Sequence, residues 1–145
     1  MMEPLLNLLI VEDSYAEREL MQAAMDEAGL TPLTSTVFAC DGEEALNTIK
    51  APDAVHFDMV LLDLNLPKIS GRDVLSHIKS MPKLKDTRVI IMSNSNCEED
   101  MADCHSRGAN GYIQKPQDFE KLVDLCIAIK QSINYTEPVS AGYKA

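Results

Sequence analysis

The chain has 145 residues, 46% hydrophobic and 25% charged, with 23 acidic against 13 basic side chains and a formal net charge of −10. That size suits one domain with its own core and leaves no room for a second folded output module. The acidic balance excludes binding that rests on attraction to a phosphate backbone, so no nucleic-acid partner is expected.

The opening Met1-Met2-Glu3-Pro4 carries no basic region. No apolar run approaches the ~20 residues that cross a bilayer. A cytoplasmic protein without membrane contact is therefore expected. In that compartment Cys40, Cys97, Cys104 and Cys126 read as reduced thiols rather than as a disulfide framework.

Residues 5–11 form a short apolar run suited to a strand buried on both faces. After Glu12-Asp13, the pattern Ser14-x-x-Glu17 reads as a capping box opening a helix to about Ala28, which Gly29 stops. Residues 34–39 are rich in β-branched side chains and predict a second strand. Asp41-x-x-Glu44 caps a helix that runs to about Lys50. Residues 57–62 are the third strand, with Asp63 at its carboxyl end, and Ser70-x-x-Asp73 opens the next helix. Residues 89–92 form the fourth strand, and Asn96-x-x-Glu99 is expected to cap a helix to about Arg107. A brief fifth strand at 111–114 precedes Lys115-Pro116 and a last helix over 118–133. Residues 134–145, with Pro138 and Gly142, read as a loose tail to a domain of residues 1–133.

Five strand–helix units in series predict an α/β fold: one doubly wound, five-stranded parallel sheet with helices on both faces. Ligands in such sheets sit outside the carboxyl ends of the strands. Glu12, Asp13 and Asp63 would then share one crevice, where their like charges call for a cation. A hard, oxygen-loving ion such as magnesium answers that need. Lys115 and Ser93 would face it as cation and hydroxyl donor, an arrangement able to stabilise a phosphoryl group during transfer to a carboxylate. Each residue alone is as well explained as a helix cap, a loop hydroxyl or a solvated charge. The joint placement at the ends of four strands carries the signal.

These residues resemble the receiver domains of bacterial response regulators. The acidic pair Glu12-Asp13, then Asp63, Ser93 and Lys115-Pro116 stand in the family's order, with 30 positions from 63 to 93 and 22 from 93 to 115. Tyr112 stands where receivers carry an aromatic switch residue. The resemblance spans about residues 5–133 and implies a flavodoxin-like strand order of 2-1-3-4-5. It further implies that Asp63 accepts a phosphoryl group from a sensor histidine kinase. By the same likeness Asp13 ligates Mg2+ (or Mn2+ in its place), Glu12 assists through water, and the backbone carbonyl of Asn65 adds a ligand. Ser93 and Lys115 would contact phosphoryl oxygens, and the Lys115-Pro116 bond would be cis.

The segments 11–14, 62–68 and 110–116 are similar, more narrowly, to the small stand-alone regulators that partner phytochrome-type kinases. Asn65 and Asn94 depart from the commonest receiver pattern and bear on how long a phosphoryl group survives. The apolar residues Phe119, Leu122, Val123, Leu125, Cys126, Ile127, Ile129 and Ile133 span about 200° of the last helix, wider than core packing requires. That width favours a homodimer or partner surface on the fourth helix, fifth strand and fifth helix. Two rivals stand beside this reading: a degenerate receiver serving only as a binding module, and a small phosphatase with an aspartate nucleophile. The haloacid-dehalogenase phosphatases place a second acid two residues after the first, and here that residue is Asn65.

Overall fold

The computed structural model describes residues 6–133; the expected tail, 134–145, lies outside them. Five strands, β1 (Leu6–Val11), β2 (Thr34–Ala39), β3 (Met59–Asp63), β4 (Arg88–Ser93) and β5 (Gly111–Gln114), form one sheet. All neighbours are parallel, in the order β2-β1-β3-β4-β5. Helices α1 (Tyr15–Ala28), α2 (Gly42–Lys50), α3 (Gly71–Ser80), α4 (Glu98–Ser106) and α5 (Phe119–Ile133) alternate with the strands. The expected α/β architecture is the observed one.

Strand periodicity divides the core into two layers, because successive side chains point to opposite faces. Leu8 and Ile10 of β1, Met59 and Leu61 of β3, and Ile90 and Met92 of β4 pack with α1 and α5. Leu9 and Val11, Val60 and Leu62, and Val89 and Ile91 pack on the opposite face with Leu46, Val74, Leu75, Ile78 and Cys104 of α2, α3 and α4. Residues buried this fully contribute ~1.5–3 kcal/mol apiece by removal from water. That drive is what lets a continuous apolar run such as β3 form a central strand.

Local signals set most helix starts. Ser14, Asp41 and Ser70 occupy N-cap positions, and their side chains accept the backbone N–H of Glu17, Glu44 and Asp73. Gly29 ends α1 in the left-handed conformation, φ 74°. The start of α4 differs from expectation. Its N-cap is Cys97, whose side chain makes no capping bond, while Ser95 Oγ accepts the Cys97 N–H at 3.1 Å and donates to Asp100 Oδ2 at 2.7 Å. Ser95 thus braces the Cys97 backbone and the first turn, while the capping bond expected of Asn96 is not made by the N-cap side chain. Short 3-10 turns at Thr31–Leu33 and Pro82–Leu84 were not expected. Proline occupies the first turn of each, where a missing N–H costs nothing.

The wide apolar band of α5 is mostly core. Leu125, Cys126 and Ile129 are buried, Leu122, Val123 and Ile133 are partly buried, and Phe119 and Ile127 stay exposed. A groove 200° wide is therefore not free for a partner.

The junction of β3 and α3 is tight. A Cβ on Gly71 would lie 2.1 Å from the Asp63 carbonyl oxygen, and the Gly71 N–H donates to the Leu64 carbonyl at 2.9 Å. Glycine is required here by closeness, not by φ, and its contact fixes the backbone that carries Asp63. Gly71→Ala is expected to destabilise the domain by about 2–3 kcal/mol, the upper part of the usual overpacking range, because the atom it meets is backbone. Urea unfolding checks this.

Candidate functional site

The sheet order reverses between β1 and β3, the position where an α/β sheet opens a crevice at its carboxyl edge. Glu12 directly follows β1, Asp63 ends β3, Ser93 ends β4 and Lys115 directly follows β5. Glu12, Asp63, Ser93 and Lys115 are buried, whereas Asp13 is exposed. Glu12, Asp13 and Asp63 each offer a carboxylate oxygen within 4.8 Å of the others. Three oxygen ligands in a partly open crevice fit a hard divalent cation that keeps some of its waters.

Lys115 faces the triad. Its Nζ donates to Glu12 Oε1 at 2.8 Å, to Asp63 Oδ2 at 3.1 Å and to Glu17 Oε1 at 3.1 Å. Burial alone would push the ammonium's pKa down, but the bonds to Glu12 and Glu17 and the charge of Asp63 outweigh it and hold the pKa well above the lysine range. Lys115 is thus a fixed cation. Burial raises the pKa of Glu12, against the opposing pull of its bond to Lys115 and of the Ser14 N–H. The remaining carboxylate oxygens are also held: Glu12 Oε2 accepts the Ser14 N–H at 3.1 Å and Asp63 Oδ1 accepts the Asn65 N–H at 3.2 Å.

Ser93 and Tyr112 share a loop partner. Ser93 Oγ accepts the Ser95 N–H at 3.1 Å, which leaves its hydroxyl hydrogen for another acceptor. Tyr112 is buried, and its hydroxyl donates to the Ser95 carbonyl at 2.9 Å. Ser95 therefore links the residue at the end of β4 to the aromatic side chain on β5. The side chain of Asn65 lies exposed beside Asp63.

The structure brings together Glu12, Asp13, Asp63 and Lys115 as the sequence predicts, and Ser93 ends the adjoining strand. Two points differ. The Lys115-Pro116 bond is trans, not cis, since the described residues contain no cis peptide bond; trans is the favoured isomer before proline by ~0.5–1 kcal/mol. Glu17, read from sequence as a helix-capping residue, reaches Lys115 instead. Its partner is 98 positions away, so no local pattern could have marked it. Among the described residues the acidic triad is the group of side chains placed to hold a metal ion.

A parallel 2-1-3-4-5 sheet with an acidic triad and a facing lysine at its carboxyl edge defines the receiver class of signalling proteins. The family model for the response regulator receiver domain matches residues 8–127, and the chain belongs to that family. It is 33% identical to the methanogenesis regulatory protein FilR2 of Methanothrix harundinacea, over 86% of this chain and 81% of that one. It is 29% identical to the response regulator Rcp1 of Synechocystis, over 85% of each. Among solved structures, the phosphorylated cyanobacterial phytochrome response regulator RcpA superposes with a TM-score of 0.81 at 34% identity, covering 92% of this chain and 96% of its own. The Mn(2+)-bound form of Rcp1 gives 0.79 at 28% identity, covering 92% and 97%. No helix among the described residues is long and apolar enough to cross a membrane.

Proposed function

We propose that this receiver is a phosphoacceptor: an Asp63 carboxylate oxygen attacks the phosphorus of a phosphohistidine on a sensor kinase. The O–P bond forms as the P–N bond breaks, and the electron pair of that bond returns to the imidazole. The observation that carries the reading is the set of three carboxylates within 4.8 Å with a buried ammonium hydrogen-bonded to two of them.

Asp13 and Asp63 would hold the divalent ion directly, Glu12 through water, and the Asn65 carbonyl would complete the protein's share. Mg2+ would supply charge neutralisation for the phosphoryl oxygens, and the Mn(2+)-bound form of Rcp1 supports Mn2+ as a substitute. Lys115 and Ser93 supply an ammonium and a hydroxyl to the other phosphoryl oxygens. A phosphoryl group adds roughly −1.5 to −2 charges. When the Ser93 side chain rotates about χ1 toward that charge and carries its oxygen away, the Ser95 N–H loses the acceptor it holds at 3.1 Å. The loop then shifts, and Tyr112, which bonds the Ser95 carbonyl, changes rotamer. The output is a remodelled α4–β5–α5 surface, where Phe119 and Ile127 remain exposed for a homodimer or partner. The phytochrome response regulator RcpA among its structural relatives supports a phytochrome-type kinase as donor, and the reaction is placed in the cytoplasm.

Acetyl phosphate separates this reading from its rivals. The expected result is stoichiometric, Mg2+-dependent labelling that stops near one phosphoryl group per chain and is abolished by EDTA. Repeated turnover of the donor indicates a phosphatase, and no labelling with intact folding indicates a degenerate binding module.

A further inference from the structure

We propose that Glu17 is a positioning residue for Lys115, receiving its ammonium when a divalent cation occupies the acidic triad and competing with a phosphoryl group for it afterwards. The inference rests on the phosphoacceptor reading above.

The first observation is a missing bond. In a capping box, the carboxylate three residues after the N-cap serine turns back to the serine's own N–H. Here that N–H goes to Glu12 Oε2 at 3.1 Å, and the Glu17 carboxylate crosses to Lys115 Nζ. The Ser14 hydroxyl still accepts the Glu17 N–H at 3.3 Å, so the backbone of the first turn is fixed while the side chain is released for another task.

The second observation is saturation. A lysine ammonium has three donors, and Lys115 directs them to Glu12, Asp63 and Glu17. Two of these acceptors belong to the acidic triad, so a dication there both repels the ammonium and draws away its partners. Glu17 lies outside the triad. Its side chain is 45% exposed, against 10% for Glu12 and 9% for Asp63, so it can gain or lose Lys115 with little desolvation. It is the one partner able to hold the cation while the other two serve the metal. A phosphoryl group arriving at Asp63 then needs the same ammonium, and Glu17 opposes the move.

Opposite effects on cation and phosphoryl mimic follow. Removing one half-exposed charge contact corresponds to about a 1.5-fold to fivefold change in affinity. Glu17→Gln is expected to weaken binding of Mg2+ alone by that factor and to tighten binding of beryllofluoride at saturating Mg2+. A structural defect would weaken both. Calorimetric titration of Mg2+ into the full chain, Glu17→Gln, Lys115→Met and the double variant separates positioning from a plain charge effect. The expected loss is confined to the Lys115 background and nearly vanishes beside Met. An equal loss in both backgrounds, or none in either, overturns the proposal. A wild-type chain that binds neither Mg2+ nor beryllofluoride would overturn the phosphoacceptor reading itself; one that binds both while the cycle is flat overturns only the role of Glu17.

Discussion

Lys115→Met is expected to unfold far more easily than the parent chain when metal is absent, by about 3 kcal/mol or more. Glu12 and Asp63 are each 7% exposed, and Lys115 bonds both. Replacing the ammonium by a thioether leaves two buried carboxylates side by side with no cation, the costly half of breaking a buried ion pair. At ~4 °C per kcal/mol, a domain of this size would melt roughly 12 °C lower or more. Two further signs identify the cause. The deficit should shrink at low pH, because burial raises the Glu12 pKa in the fold and losing the opposing bond and charge of Lys115 raises it further. A carboxyl that binds its proton more tightly when folded favours the fold below its unfolded pKa and loses that advantage as pH rises through the folded value. Mg2+ should also stabilise Lys115→Met more than the parent, since the ion no longer competes with an ammonium for those oxygens. Equal melting in EDTA at neutral pH would contradict this account of the cluster.

Asp63→Asn is expected to lower phosphoryl labelling by at least roughly three orders of magnitude, as removal of a covalent nucleophile does. The loss should come without unfolding. The amide oxygen of asparagine can still accept the Asn65 N–H that Asp63 takes at 3.2 Å, and Lys115 keeps Glu12 and Glu17. One of the crowded carboxylates is gone, so stability in EDTA should change by less than about 1 kcal/mol. Mg2+ affinity should fall, because one of three oxygens within 4.8 Å has lost its charge. Labelling from a phosphodonor, read beside a melting curve and a metal titration, distinguishes this pattern from misfolding. Undiminished labelling would assign the chemistry elsewhere.

The fold and five members of the site were legible because each rests on a local signal. Periodicity marked the strands, serine or aspartate before a helix marked its start, and the rule that α/β sheets bind at their carboxyl ends pointed to Glu12, Asp13, Asp63, Ser93 and Lys115. What the sequence concealed depends on distant or competing partners. Glu17 satisfied a local pattern and was read by it, yet Lys115, 98 positions on, offers its carboxylate a stronger partner than the Ser14 N–H. Asn96 was equally plausible as a cap until Ser95 took the Cys97 N–H and Asp100 together. The breadth of the apolar band on α5 overstated the exposed face for a different reason. A helical wheel counts apolar faces but not the neighbours covering them, and α5 packs in the layer that holds Met21, Ala24 and Met25 of α1.

The most direct test of the central claim is the chemical identity of the labelled residue. After reaction with acetyl phosphate and Mg2+, borohydride reduction converts an aspartyl phosphate to homoserine, which peptide mass spectrometry locates. The account predicts homoserine at position 63 alone, dependent on Mg2+. Homoserine at another acidic position such as Asp13, or none despite a folded, metal-loaded chain, would contradict it.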